Sequence, residues 1–298
     1  MQNTESNQVS SADSRQKPVS DGIGTSPILL ELLACMARLR DPEQGCPWDT
    51  AQTFASIVPH TLEEAYELAE AIETGEPVRI RDELGDLLLQ VVFYAQIAAE
   101  QNLFDFQTIA AGLIGKLKRR HPHVFGEEAL ADAAAVNQRW EEIKAAERQQ
   151  DKQATETVGV AQAGVLDGVA LSLPALTRAR KLQKRAASVG FDWSDPAPVF
   201  AKIEEELAEF RAELEPKSAA AVDQSRIEEE YGDVLFAVVN LARHAGVEPE
   251  TALRRANRKF ESRFNYIEQQ LQASGRTSGQ ATLEEMDTLW DQAKTLEK

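Results

Sequence analysis

The sequence contains few cysteines and no long apolar run, and each shortage excludes a class of protein. Its two cysteines, Cys35 and Cys46, form no CxxC motif, so we expect neither a disulfide framework nor a thiolate zinc site and predict a reducing, cytoplasmic location. The longest apolar stretch, around residues 87–99, is interrupted by Gln90 and Gln96 and is too short to span a bilayer. A membrane protein is therefore not expected.

Positive charge is also scarce. Lys and Arg number 32 against 49 Asp and Glu, which gives a net charge of -17 at pH 7 and a pI of about 4.8. A field of this sign repels nucleic acid and anionic membranes, so we predict neither as a partner, although a local basic patch can still bind phosphate. The sequence also lacks a glycine-rich P-loop, a GxSxG elbow and a Cys/His dyad, which excludes the usual nucleotide kinases and covalent hydrolases.

Strand signals are missing as well, because no alternating apolar run is flanked by turn residues. Apolar residues recur instead at helical spacing, which predicts helices over 26–40, from about 61 to 74, from about 78 and from about 106. The pattern restarts in the second half, so we predict an all-α fold of tandem duplicated helical-bundle domains. The predicted segments are a disordered tail (1–25), a first domain (26–146), a polar linker (147–171) and a second domain (172–298).

Carboxylates in pairs are the most informative feature of the sequence. Glu64 and Glu67 are three residues apart, as are Glu83 and Asp86, so on helices each pair projects from one face. Two such helices side by side would gather four carboxylates that repel one another, and oxygen-only ligands favour Mg²⁺, with Mn²⁺ as the alternative. The second half repeats the pattern with Glu206, Glu209, Glu230 and Asp233.

Two structural explanations compete with a metal site. Thr61 and Glu64 have the spacing of a capping box, although the second copy has Ile203 in place of the threonine and keeps its glutamate. Glu83 and Asp86 would suit the macrodipole if they opened a helix. The duplication favours the metal over both explanations.

Basic residues follow each acidic motif at a similar distance. In an acidic protein this arrangement predicts a polyphosphate ligand, with the metal on one side and Lys and Arg on the other. Salt bridges to surface glutamates are the alternative. The basic residues are Lys116, Lys118, Arg119 and Arg120 in the first copy and Arg255, Arg258, Lys259 and Arg263 in the second.

Together these segments closely resemble the MazG family of nucleoside triphosphate pyrophosphohydrolases, relatives of the all-α dimeric dUTPases. The resemblance extends from residue 26 to the C-terminus and looks like the two-domain form of the family. Besides the carboxylate motifs, the matching segments are Arg38-Leu39-Arg40-Asp41-Pro42, Gly45-Cys46-Pro47-Trp48-Asp49, Arg119-Arg120-His121-Pro122-His123, Val189-Gly190-Phe191-Asp192-Trp193 and Lys259-Phe260.

The resemblance implies a fold of the all-α nucleoside triphosphate pyrophosphatase type and Mg²⁺-dependent hydrolysis between the α and β phosphorus atoms, giving a monophosphate and pyrophosphate. A role in nucleotide-pool cleaning or stress-linked nucleotide control would follow, with a homodimer as the assembly. Whether the two copies pack within one chain or across that dimer is left open. The implied metal ligands are Glu64, Glu67, Glu83, Asp86, Glu206, Glu209, Glu230 and Asp233.

The implied phosphate contacts are Lys202, Lys259 and Arg263, with Lys116 and Arg120 in the first copy. Gly115, beside Lys116, departs from the family pattern. Glu205 and Glu63 adjoin the metal ligands and are the catalytic candidates that would orient or deprotonate water. Because Lys202 precedes the second pair of glutamates where the first copy has His60, we predict that the second copy is the stronger site.

Two other functional classes fit the same residues. A regulatory module would bind nucleotide or metal without turnover, and a helical scaffold would use its acidic faces for neither. No residue identifies the base preference, since Trp48, Trp193 and Trp290 suit either stacking surfaces or cores.

Overall fold

The computed structural model describes residues 27–156, 164–215 and 223–297, with side chains omitted for 148–156. Every regular element in these ranges is helical, which confirms the all-α prediction. None of the described helices combines the length and apolar character needed to cross a membrane. The predicted tail (1–25) and Ser26, the first residue of the first predicted helix, lie outside the described residues.

The chain divides into two compact units, and the boundary between them in the sequence falls after Gln149. The helices that begin in the first unit are α1 (Pro27–Leu39), α2 (Pro47–Ala51), α3 (Phe54–Thr74), α4 (Pro77–Glu100), α5 (Phe106–Arg120), α6 (Pro122–Phe125) and α7 (Ala133–Glu156). Those of the second unit are α8 (Ala175–Ala187), α9 (Ala197–Leu214), α10 (Gln224–His244), α11 (Pro249–Ala273) and α12 (Leu283–Leu296), with a short 3₁₀ helix at Ser278–Gln280.

The hairpin of α3 and α4 begins earlier in the chain than the sequence pattern predicts. Thr53 caps α3, since its hydroxyl accepts from the Ser56 backbone N–H at 3.2 Å while the Ser56 hydroxyl accepts from Thr53 N at 2.8 Å. The helix ends at Gly75, whose φ of 76° is the left-handed conformation that glycine adopts without strain. Pro77 then opens α4, so the predicted stop between the helices is confirmed.

The helix boundaries remove both structural explanations of the acidic pairs. Thr61 lies inside α3, where its hydroxyl contacts Ile57 O at 3.2 Å and Tyr94 Oη at 2.9 Å, so the capping explanation of Glu64 is wrong. Glu83 lies beyond the first turn of α4, where the helix dipole has little effect. Glu230 has the same place in α10.

The predicted linker differs from the structure at both ends. Its first residues continue α7 to Glu156, and residues 157–163 lie outside the described residues. Its last residues belong to the second unit, because Val169 is buried there and the carbonyl of Asp167 accepts a hydrogen bond from Arg185.

The two cores are built from equivalent helices but differ in content. In the first unit α4 packs on α1, α3 and α5 around an apolar cluster of Met36, Ile57, Val92, Phe93 and Ile97. In the second unit α10 packs on α8 and α9, and α11 on α12, burying Val199, Val234, Ala237, Val239, Ile267, Leu271 and Ala293. Each core holds an acidic helical hairpin in place: α3 with α4, and α9 with α10.

Candidate functional site

The first acidic cluster lies across the hairpin of α3 and α4. Carboxylate oxygens of Glu64, Glu83 and Asp86 come within 4.8 Å of one another. Burial is the main cause that raises the pKa of Glu64, followed by repulsion from Asp86, Glu67, Glu83 and Glu63. Glu67 is therefore near the cluster although it does not belong to the close group. A cation would relieve this repulsion.

The second acidic cluster repeats the arrangement on α9 and α10. Its close group consists of Glu206, Glu209 and Glu230, with oxygens again within 4.8 Å of one another. Burial raises the pKa of Glu230 most, followed by repulsion from Glu209, Asp233 and Glu206, while Arg226 lowers it. Asp233 thus stands beside the close group, as Glu67 does in the first unit. Both clusters offer oxygen donors alone, which fits Mg²⁺ or Mn²⁺.

A lysine accompanies the second cluster. Lys202 Nζ lies 2.7 Å from Glu206 Oε1 and 2.9 Å from Glu205 Oε1, and these two hydrogen bonds raise the pKa of the lysine. The Glu206 side chain is only 8% exposed, whereas that of Glu205 is 56% exposed. At the matching position of the first unit, His60 Nδ1 lies 3.8 Å from Glu63 Oε2.

Two of the remaining predicted phosphate contacts, Arg120 and Arg263, form ion pairs outside the clusters. Arg120 Nη2 pairs with Glu147 Oε2 at 2.6 Å, and Arg263 Nη2 pairs with Glu297 Oε2 at 2.5 Å. Lys116 is exposed. Lys259 is exposed too and helps to lower the pKa of Glu297, after Arg263. Within the described residues, no ion pair joins these four cations to the carboxylate clusters.

A second repeated motif explains those partners, and the sequence reasoning missed it. The pattern Trp-x-x-x-Lys-x-x-Glu occurs in α7 and again in α12 with the residue that follows it; its members are Trp140, Lys144, Glu147, Trp290, Lys294 and Glu297. The tryptophan and glutamate contact the basic helix of each unit, at the end of α5 and in the middle of α11. His121 lies 5.0 Å from the Trp140 ring, and the Arg263 guanidinium lies 5.2 Å from the Trp290 ring. The equal spacing of Trp, Lys and Glu in the two halves is the sequence signal that identifies this motif.

A cavity of about 610 Å³ adjoins the second cluster. Lys202, Glu206 and Asp233 are among its lining residues, so the cavity reaches the carboxylates. The rest of the lining comes mainly from α8, residues 190–193 and α10, and includes Leu182, Gln183, Ala186, Phe191, Trp193, Phe236, Asn240 and Arg243. The site thus combines a place for a cation with an adjacent space of ligand size.

An ion pair fixes the loop that forms one side of the cavity. Arg243 Nη1 donates to Asp192 Oδ2 at 2.9 Å, and His244 Nε2 lies 3.3 Å from Asp192 Oδ1. The hydrogen bonds from Arg243 are the main cause that lowers the pKa of Asp192. The contact joins residues 190–193 to α10 and keeps the Trp193 side of the cavity in position.

Comparison with known proteins agrees with this geometry. The MazG nucleotide pyrophosphohydrolase domain matches residues 52–125 and 196–267. A nucleoside triphosphate pyrophosphohydrolase of Escherichia coli is 50% identical over 266 residues, which cover 89% of this chain and 97% of that protein. The chain belongs to the MazG nucleotide pyrophosphohydrolase family.

Two further relatives match to different extents. The nucleoside triphosphate pyrophosphohydrolase/pyrophosphatase MazG of Thermotoga maritima is 42% identical over 89% of this chain and 94% of that protein. A nucleoside triphosphate pyrophosphohydrolase of Mycobacterium tuberculosis is 37% identical over 54% of this chain and 46% of that protein. The matched MazG domains include both acidic hairpins, whereas α8 and α12 lie outside them.

Proposed function

We propose that this chain is a Mg²⁺-dependent nucleoside triphosphate pyrophosphohydrolase that cleaves between the α and β phosphorus atoms, with the second unit as its main site. The observation that carries the proposal is the close group of Glu206, Glu209 and Glu230, whose Glu206 lines a ligand-sized cavity together with Lys202. Family membership and the names of the E. coli and T. maritima relatives support the reaction class.

The metal would be held by Glu206, Glu209, Glu230 and Asp233, and in the first unit by Glu64, Glu67, Glu83 and Asp86. The donor sets fit Mg²⁺ because they are anionic oxygens that repel one another without a cation. When bound, Mg²⁺ supplies charge neutralisation of the phosphates and acidifies bound water.

The chain's own groups would bind the triphosphate and manage the proton. Glu205 is exposed, adjoins the ligands and stands outside the close group, so its carboxylate is suited to orient water and accept a proton, as Glu63 is in the first unit. Lys202 is positioned to turn from its glutamates towards an entering phosphate.

The basic helices would complete phosphate binding. Lys259 and Arg263 on α11 would stabilise charge on the pyrophosphate leaving group, and Lys116 and Arg120 on α5 would do so in the first unit. Arg263 would exchange Glu297 for phosphate, an anion of higher charge.

The proposal is tested by incubating the full chain with Mg²⁺ and a panel of triphosphates that includes non-standard bases, and identifying the products. Monophosphate and pyrophosphate are expected, and preference for non-standard bases would support a role in nucleotide-pool cleaning over stress-linked nucleotide control. Tight binding without release would favour the regulatory module. Failure of Mg²⁺ and triphosphate together to raise the Tm would favour the scaffold.

We further propose that the chain works in the cytoplasm as a homodimer. Both cysteines are unpaired, as a reducing compartment requires. The acidic helices α4 and α10 also carry apolar side chains that are exposed in the single chain. They are Leu84, Leu88, Leu89 and Val91 on α4, and Leu235, Phe236 and Val238 on α10. A symmetric dimer brings identical faces together, so a second copy would cover them. Light scattering should give twice the chain mass of 32.9 kDa, and a monomer would contradict this assembly.

A further inference from the structure

The first acidic cluster lacks the close cation that accompanies the second. In the second unit Lys202 Nζ lies 2.7 Å from Glu206 Oε1 and partly neutralises that carboxylate. Among the described residues, the one ion pair of the first close group is a long one, in which Arg79 Nε lies 3.6 Å from Glu83 Oε1. The first cluster therefore has the greater need of a bound cation when no nucleotide is present.

Gln90 adds an oxygen to the face of α4 that carries the first cluster. It follows Asp86 by four residues and Glu83 by seven, so the three side chains project from one face of the helix. Gln90 is only 6% exposed, and its Oε1 is buried without a hydrogen-bond partner. An unpaired buried acceptor lowers stability, and a cation bound to this oxygen would remove that cost.

Ala237 has the place of Gln90 in the second unit. It follows Asp233 by four residues and is 7% exposed. A methyl group offers no oxygen to a cation, so this position of the second unit supplies no ligand. The two clusters thus share their carboxylates but differ in the neutral oxygen and in the lysine.

Deeper in the interior the two units differ in the opposite sense. Asn240 on α10 corresponds to Phe93 on α4, and Gln183 on α8 corresponds to Met36 on α1. The two amides of the second unit line its cavity, whereas Phe93 and Met36 belong to the apolar core of the first. In the first unit the buried amide lies instead within one helical turn of the acidic pair on α4.

We propose that the first cluster binds a divalent cation in the absence of nucleotide, with Gln90 Oε1 as a neutral ligand beside the three carboxylates of its close group. The inference rests on the proposed function, which makes both clusters metal sites, and adds a ligand and a division of roles to it. Carboxylate and amide oxygens suit Mg²⁺ and Mn²⁺. The second cluster binds its cation more weakly until a triphosphate draws Lys202 away from Glu206.

The test is a titration of the full chain with Mn²⁺ and no nucleotide, in which electron paramagnetic resonance measures the free ion. One site per chain should bind at least about tenfold more tightly than the other. Glu64→Gln should abolish the tighter site, whereas Glu206→Gln should leave it intact. A tighter site that is lost in Glu206→Gln and kept in Glu64→Gln would overturn the inference.

Gln90→Met keeps the approximate size of the side chain and removes its oxygen. It should weaken the tighter site at least about tenfold. The matched control is Gln183→Met in the second unit, because Gln183 is also buried with an unpaired Oε1, and this variant should leave the tighter site unchanged. Equal Mn²⁺ affinity in Gln90→Met and the unmodified chain would show that Gln90 is not a ligand.

A measurement on the unmodified chain does not depend on how the variants fold. In the nitrogen-15-labelled protein, Mg²⁺ at a concentration that fills only the tighter site should shift the side-chain amide signal of Gln90 and leave that of Gln183 in place. A Gln90 signal that stays in place while this site fills would contradict contact with the cation. Absence of cation binding by either cluster, with or without nucleotide, would instead count against the proposed function.

Discussion

The two units hold nearly the same acidic cluster but differ in what lies beside it. In the first unit Met36 and Phe93 close the space between α1 and α4 as part of an apolar core. In the second, Gln183 and Asn240 leave a cavity of about 610 Å³ that reaches Glu206. A duplicated metal motif therefore does not make two equal sites, because a substrate also needs space next to the cation.

The largest expected effect comes from removing the carboxylates of one unit at a time. Glu206→Gln with Glu209→Gln should lower kcat/KM for triphosphate hydrolysis by more than about 100-fold, since the charge on the phosphates loses its compensating site. The matched pair, Glu64→Gln with Glu67→Gln, should leave most of the activity. Pyrophosphate release measures both. Activity lost in Glu64→Gln with Glu67→Gln but kept in Glu206→Gln with Glu209→Gln would reverse the assignment.

The second prediction exchanges the interiors of the two units. Phe93→Asn places a polar amide in an apolar core and should destabilise the first unit by about 3–5 kcal/mol in urea unfolding. Asn240→Phe fills the cavity of the second unit and should cost far less stability while lowering kcat/KM for nucleotides. Equal stability losses would mean that the two interiors are packed alike.

The third prediction concerns charge repulsion in the metal-free clusters. Folding raises the pKa of Glu64 above its ordinary value of 4.5, so the folded state holds this proton more tightly than the unfolded state. The ionised Glu64 carboxylate therefore lowers the free energy of unfolding at neutral pH, and this loss disappears as the pH falls through the raised pKa towards 4.5.

Glu64→Gln should accordingly raise the Tm of the metal-free chain at pH 7 by a few degrees, roughly, and weaken its response to Mg²⁺. Glu230→Gln should do the same in the second unit, where the pKa is also raised. Differential scanning calorimetry with and without Mg²⁺ measures both. A lower metal-free Tm in both variants would show that the clusters are not repulsive.

The smallest effect is expected from a surface ion pair of the second unit that has no counterpart among the described residues of the first. Arg276 Nη2 lies 2.8 Å from Glu285 Oε2 and, as the main cause, lowers the pKa of this carboxyl to about 2. The stabilisation by this ion pair is present above pH 4.5, the ordinary pKa of a glutamate, and is lost as the pH falls from there towards 2. Glu285→Gln should lower the Tm at pH 7 by at most about 2 °C and change nothing near pH 2. A larger change at pH 2 than at pH 7 would contradict the assigned pair.

Helical periodicity and the repeated acidic spacing were sufficient to predict the all-α fold. They also identified all three carboxylates of each close group. They failed at helix ends, because the cap at Thr53 precedes the periodic pattern and a polar surface helix such as α7 has a weak apolar repeat. They also failed for the partners of Arg120 and Arg263, since pairing between helices far apart in the sequence is not a local property.

The sequence by itself determined the all-α class, the duplication and the pairing of carboxylates on one helix face, because i and i+3 spacing fixes these through backbone geometry alone. Only the tertiary structure decided that Met36 and Phe93 form a core while Gln183 and Asn240 line a cavity. Those four residues come from helices that meet only after folding, and whether an interior is filled or open depends on the volumes that several helices bring together.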